Sequence, residues 1–573
     1  MELAARDSQP GSDWGEMIST TIYTARRVIT MNPANPQGPA VAVRDGRVLG
    51  VGSVDELSAW GDCVVDDQFA DKVIMPGFIE AHSHSGAGAM WAYTYVGYFD
   101  RRAPDGVVWA GCKSIADIVA RLKEVSDKMA ADGADDDRPL LAWGLDPIYY
   151  EGERLYAKHL DEVSEVRPVY VNHASFHLAT VNSATMRLAD ITADTMTPGV
   201  DKDSDGQPNG ELQEPAAMGL ASGPVGFGMF MGGDDSLWNY GYEARNAGHT
   251  LVTDLAGGHL EDERVEQLHR VVDDPEFPVR MMMSISFGRG QPKSPAELAE
   301  RAVEVKENEQ TDKLRFGIVK LVLDGSIQGF TARLGWPHYY DAPPGHPGNG
   351  LWLLPPETAA DTLFEYHHRG LTVHCHCNGD EASEVFIDAV ERVLERHPRF
   401  DHRHTVQHCQ LTTKAQYRRM AALGMYANIF SNHMFYWGDQ HRALTVGPER
   451  AEGMDACATA LREGVPFSIH SDAPVTPLGH LHVAWCAVNR LTASGEVLGE
   501  NERITVDDAL HACTIGAALQ LNLDHEMGSI EAGKLADFAV LDDDPYAVDP
   551  KALKDIGVWG TVLGGVPRQA PRG

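Results

Sequence analysis

Eight short apolar runs alternate along this chain with stretches of helical periodicity, and polar residues with metal-ligand chemistry collect at the C-terminal ends of the runs. The runs are KVIMPGFIEAHSH, HTLVTDLA, VRMMMSIS, FGIVKLVLDG, LTVHCHC, HTVQHC, GMYANIF and PFSIHSD. Between them, segments such as SPAELAERAVEVKEN and EASEVFIDAVERVLERH place apolar residues three and four apart, which is helical spacing. Strand and helix in strict alternation predict a parallel sheet covered by helices, and eight such units predict a (β/α)8 barrel of the TIM type. In that fold the strand C-termini converge on one mouth, so residues far apart in sequence can meet there.

The residues that would meet are His82, His84, Lys320, His376, His408 and Asp472. Alternation along a strand puts both imidazoles of His82-Ser83-His84 on one face. Neutral imidazoles and a carboxylate around one point are what a catalytic divalent metal requires. Lys320 inside an apolar strand is costly as a bare cation. Carbamylation would turn it into a carboxylate able to bridge two metals. Along LTVHCHC, His374 and His376 face the same way and either could reach a metal; His376 is the ligand chosen, being nearer the strand end. The neighbouring cysteines should then face the strand–helix core. Asp472 is the expected general base and acid, taking a proton from water and passing it to a leaving nitrogen. His177, His374, Tyr436 and Trp437 are expected to line the substrate pocket, with aromatics suited to an apolar ligand.

The rest of the chain divides around this barrel. Runs such as AVAVRDGRVLGVG, with a hairpin signal at Asp45-Gly46, and FAVLDDDP near the other end share a β texture. Residues 17–75 and 515–573 are therefore read as one β-sandwich domain built from both termini. Residues 76–95 and 240–514 form the barrel, and 96–239 an inserted cap that leaves it just after the first ligands. Asp201 to Gly206 resembles the front of a calcium loop, but Leu212 stands where the bidentate Glu should be, so a hairpin turn is the expectation. GFGMFMGG lacks the spacing and the preceding strand of a phosphate loop.

Composition narrows the partners. Lys plus Arg number 48 against 83 Asp plus Glu, a formal charge of −35. So acidic a surface repels phosphate backbones and anionic lipid, against nucleic-acid or membrane partners. The first sixteen residues carry no apolar core of a secretory signal, and no apolar stretch is long enough to span a bilayer. The 8 cysteines follow no framework spacing, which fits a reducing, cytoplasmic setting.

The motifs PGFIEAHSH, VKLVLDGSIQGFTA, HCNGDEA, QHCQL, HSDAPV and EAGKLADFAVLDDDP, spread over nearly the whole chain, resemble the amidohydrolase superfamily, within it the YtcJ-like branch that includes N-substituted formamide deformylases. The resemblance implies a metal-dependent (β/α)8 barrel, a terminal β-sandwich and a cap. It also implies metal ligation by His82, His84, Lys320, His376, His408 and Asp472, and a cap histidine, here His177, facing the site. It supports His376 over His374, because Gly379-Asp380 follows at the family's spacing. Glu80 stands where the family commonly has Asp, and His470 where it usually has a small residue.

These readings converge on hydrolysis of a C–N bond in a small amide, an N-substituted formamide foremost. Two zinc ions are expected, with manganese or iron as alternatives. The rivals are a cyclic deaminase, a metal-dependent decarboxylase and, in a different class, a non-catalytic small-molecule binder. A homodimer is the expected assembly.

Overall fold

The computed structural model describes residues 20–150, 154–176, 178–228, 232–287, 292–342 and 348–571. His177 and part of GFGMFMGG lie outside them.

Eight parallel strands form the central sheet: β1 (Phe78–Ser83), β2 (His249–Asp254), β3 (Arg280–Phe287), β4 (Leu314–Val322), β5 (Thr372–Cys377), β6 (Thr405–His408), β7 (Tyr426–Ile429) and β8 (Phe467–Ile469). Each pairs with the next. Just past the end of β8 the chain returns to β1: Asp472 N donates to His82 O at 3.2 Å and His84 N to Ala473 O at 2.8 Å. This is the eight-stranded barrel of the expectation, assembled from the runs the periodicity picks out.

Alternation along β5 shows how sequence sorts the two faces. Val373, Cys375 and Cys377 point outward and are buried with Phe386, Ile387 and Val390 of the helix Asp380–Arg396. His374 and His376 are left for the inside. At the opposite end from the mouth, Ala517, Ala518 and Leu521, in and just after the helix Ile515–Gln520, pack with Leu251, Met282 and Ile318.

Strands from both termini share one further sheet of eight strands. The hairpin at Asp45-Gly46 joins Gln37–Arg44 to Arg47–Gly52, and both turn residues have positive φ, 52° and 72°. A two-residue turn between right-twisted strands requires that conformation, which Asp and Gly tolerate. The inserted segment builds a separate six-stranded sheet together with Thr94–Tyr95, a short strand just before its expected start. One face of it buries Leu140, Ala142, Val169 and Val171 against Ile115, Ile118 and Leu122 of the helix Ile115–Ala131. Trp143 and Tyr170 face the other way, toward Ala217, Met218 and Ala221. Val200–Lys202 pairs antiparallel with Pro208–Gln213 around the Asp203–Gly206 turn, so the calcium-like stretch is a hairpin.

Buried imidazoles set the acid limit of this fold. Burial lowers His173, His249 and His441 from 6.5 to about 3, 4 and 3 respectively. Above pH 6.5 both folded and unfolded chains hold these rings neutral. Below it the unfolded chain binds protons that the folded chain refuses, so stability is lost as pH falls toward about 4. Each ring contributes a loss of about 1.4 kcal/mol per pH unit in that window. Denaturant midpoints should drop steeply between about pH 6.5 and pH 4.5; a flat profile there would contradict the assignment.

Candidate metal centre and active-site cavity

His82 lies in β1 and His84 just past its end, their rings 5.5 Å apart. The orientation of His82 is fixed from behind. Its Nδ1 lies 2.6 Å from Gln407 Oε1, which also accepts from Asn428 Nδ2 at 2.9 Å. An amide oxygen only accepts, so Nδ1 carries the proton and the Nε2 lone pair faces the site. Such outer partners set the tautomer of metal-binding histidines. Around that lone pair stand Lys320 Nζ at 3.1 Å and Asp472 Oδ1 at 3.4 Å.

Asp472 is the hub. Its Oδ1 is also 3.2 Å from His84 Nε2, and its Oδ2 is 3.7 Å from His408 Nδ1. Burial would raise this carboxyl, but the hydrogen bond and charge of His84, with His470 and Lys320, hold it below the usual carboxylate range. Asp472 and His408 both adopt left-handed backbone, φ 56° and 74°. Strain of that kind costs about 1–3 kcal/mol per residue and collects where function demands a particular side-chain direction.

Lys320 is 4 % exposed and makes no ion pair among the described residues. Burial pushes its amine down to about 8, with the Asp472 charge opposing. His376 shares a ring contact of 4.4 Å with His408 and its Nε2 lies 3.1 Å from Gly325 O. His470, flagged by its position in the sequence, stacks on His82 at 4.7 Å and puts Nε2 3.2 Å from His408 Nδ1.

One ligand atom each from His82, His84 and Asp472 lie within 4.8 Å of one another, and so do those of His82, His408 and His470. His408 Nε2 is buried with no hydrogen-bond partner among the described residues. Clustered imidazoles and a buried carboxylate, one ring nitrogen orphaned, fit a divalent cation. Glu80, His249 and His480 form another buried trio, but there His249 Nε2 and His480 Nδ1 already meet at 2.6 Å as a hydrogen bond. Glu80 instead ties the barrel together, accepting from His82 N and Ser471 N at 3.1 Å each. Burial pushes its carboxyl up to about 8 despite those bonds.

All six ligand candidates, His82, His84, Lys320, His376, His408 and Asp472, line one cavity of about 470 Å³. Phe176, Leu255, Phe287, Leu353, Phe430 and Val475 give it apolar walls. The inserted segment reaches it through Ser175 and Phe176, the neighbours of His177. The other residues expected at the substrate lie elsewhere. His374 is fully buried, accepts from Gln407 Nε2 at 3.0 Å and does not line this cavity. Tyr436 and Trp437 line a smaller hollow beneath the insertion, where Trp437 Nε1 donates to Asp146 Oδ2 at 2.8 Å. Two participants escaped sequence reasoning. Asp254, ending β2, stands 3.9 Å from His84 Nδ1, and Gln407 orients His82. A carboxylate closing the HTLVTD run was a signal for the first; nothing local marked the second.

A barrel with imidazoles, an amine and a carboxylate gathered at the C-terminal rim of its strands is built for metal-dependent hydrolysis. The model of the amidohydrolase family matches residues 70–569, and the chain belongs to that family. It is a hydrolase. It is 27% identical to the putative amidohydrolase YtcJ of Bacillus subtilis, over 94% of this chain and 97% of that one. It is 26% identical to the N-substituted formamide deformylase of Arthrobacter pascens, over 94% and 96% respectively. Among solved structures, an uncharacterized metal-dependent hydrolase from Pyrococcus horikoshii shares the fold with a TM-score of 0.69, at 21% identity over 93% of this chain and 99% of that one.

Proposed function

We propose that this chain hydrolyses the C–N bond of small amides, N-substituted formamides foremost, with His82, His84, His376, His408 and Asp472, together with a carbamylated Lys320, as the residues that would hold divalent metal. The observation that carries the reading is the Asp472 carboxylate, within 3.7 Å of three imidazoles on the wall of an apolar cavity. The likeness to a formamide deformylase supports the substrate class.

A bound divalent cation supplies Lewis acidity to the carbonyl and eases loss of a proton from water. Zinc suits the imidazole-rich donor set, and two ions match the number of donors; manganese or iron would also accept the carboxylate. Asp472 takes the water proton as the C–O bond forms, then delivers it to the nitrogen as the C–N bond breaks. Formate and an amine leave. Phe176, Leu255, Phe287 and Phe430 shield the reaction from bulk water and accept an apolar N-substituent. Among the described residues no helix is long and apolar enough to cross a membrane, and all eight cysteines are free. Free thiols support a reducing, cytoplasmic setting.

Chelation should abolish turnover, and re-addition of zinc or manganese should restore it. A screen of N-alkyl and N-aryl formamides on the loaded enzyme should release formate stoichiometrically with amine. Ammonia from cyclic amidines, or carbon dioxide from acids, in place of formate would replace this reading with a deaminase or a decarboxylase. Full activity in chelated protein would remove the metal from it.

A further inference from the structure

The loop after β4 brings to the cavity a polar group that the hydrolytic chemistry leaves unused. Gln328 lines the cavity, and behind it runs a chain of hydrogen bonds into the core. Gln328 Oε1 lies 3.2 Å from His433 Nε2, His433 Nδ1 lies 3.1 Å from His441 Nε2, and His441 Nδ1 lies 2.7 Å from Thr445 Oγ1. His433, His441 and Thr445 are 0% exposed, and the two rings stack with centroids 4.7 Å apart.

The polarity of this chain follows link by link. Burial keeps both imidazoles neutral, so each carries one proton. The amide oxygen can only accept, which puts the first proton on His433 Nε2. His433 Nδ1 must then accept from His441 Nε2, and His441 Nδ1 from the Thr445 hydroxyl. The far end is anchored: Leu444 O and Thr445 O accept from Asp341 N and Tyr340 N at 2.8 Å each. His441–Thr445 is a π-helical turn, a rare conformation that concentrates at functional sites. Gln328 is left with its amide NH2, for which the described residues provide no acceptor.

We propose that Gln328 determines substrate specificity: its NH2, held by His433, His441 and Thr445, donates a hydrogen bond to an uncharged acceptor on the substrate's N-substituent. This rests on the amide-hydrolase reading and narrows it to amides whose apolar N-substituent carries one neutral oxygen or ring-nitrogen acceptor. Gln328 contacts the substrate, while His433 and His441 act as positioning residues.

The test compares N-benzylformamide with its pyridylmethyl isomers, matched in shape but for one acceptor. Dissociation constants are measured calorimetrically on the metal-loaded Asp472→Asn enzyme, and formate release by the wild type is followed separately. One hydrogen bond predicts that the best pyridyl isomer binds about fivefold tighter than the benzyl parent. Gln328→Leu should bring that ratio to about one. His433→Phe, which keeps the stacked ring but loses the donor, should lower the ratio with overall fold intact by circular dichroism. A wild-type ratio retained in Gln328→Leu, or no isomer binding better than the parent, overturns the inference. Absence of formate with the ratio intact overturns the deformylase chemistry and leaves the Gln328 contact standing.

Discussion

Asp472→Asn lowers kcat by about 10²–10⁴-fold, the range that loss of a positioned acid–base group produces. Asparagine keeps the shape of the side chain and an oxygen donor, but it cannot hold the proton that the proposed hydrolysis passes from water to the leaving nitrogen. The imidazoles packed around Asp472 keep its carboxyl ionised near neutrality, so the wild-type group starts in the form that accepts. Metal content and melting temperature of the variant, measured beside kcat, separate lost chemistry from lost ligation. A variant that keeps its metal and turns over within tenfold of wild type would move the proton to another group, with Asp254 next in line.

Lys320→Ala removes activity by at least about 10²-fold, and millimolar acetate or propionate restores part of it. The argument is one of charge. A buried ammonium without an acidic partner is among the costlier groups a core can hold, and Lys320 Nζ faces the lone pair of His82 at 3.1 Å, with no carboxylate in ion-pair range among the described residues. The proposed carbamylation would remove the positive charge and put a carboxylate where the imidazoles converge. Truncation to alanine leaves room for a small acid to take that carboxylate's place. Carbon-13 resonance from labelled carbon dioxide on the wild type would report the adduct directly. No rescue by any short acid, together with full activity in protein prepared free of carbon dioxide, would show Lys320 acting as a plain amine.

The barrel was legible because its strands and helices announce themselves locally. Alternation in LTVHCHC separates cysteines from histidines by face, and the same logic aims His82 and His84 together. Asp45-Gly46 was legible for a similar reason, since a two-residue turn states its backbone needs in its own sequence. What stayed hidden depends on register between distant strands. Gln407 sits in an ordinary strand and acquires its role only because β6 carries it to within 2.6 Å of a ring on β1. Tyr436 and Trp437 read as pocket aromatics by composition, yet the helix His433–Gln440 turns them toward the insertion and leaves His433 to reach the cavity through Gln328. The hydrophobic pattern places an element on the sheet; which side of its neighbour it meets is settled by packing that no short window contains.

Where β1 meets the turn after β8, the backbone of His82 and His84 is stitched to Asp472 and Ala473. Joining these two stretches completes the ring of strands and brings the nitrogen and oxygen donors within reach of one another in the same movement. Cation capture and barrel circularisation would then reinforce each other: an ion held across that junction would clasp the whole cylinder, and a loosened clasp would open the ring at this rim first.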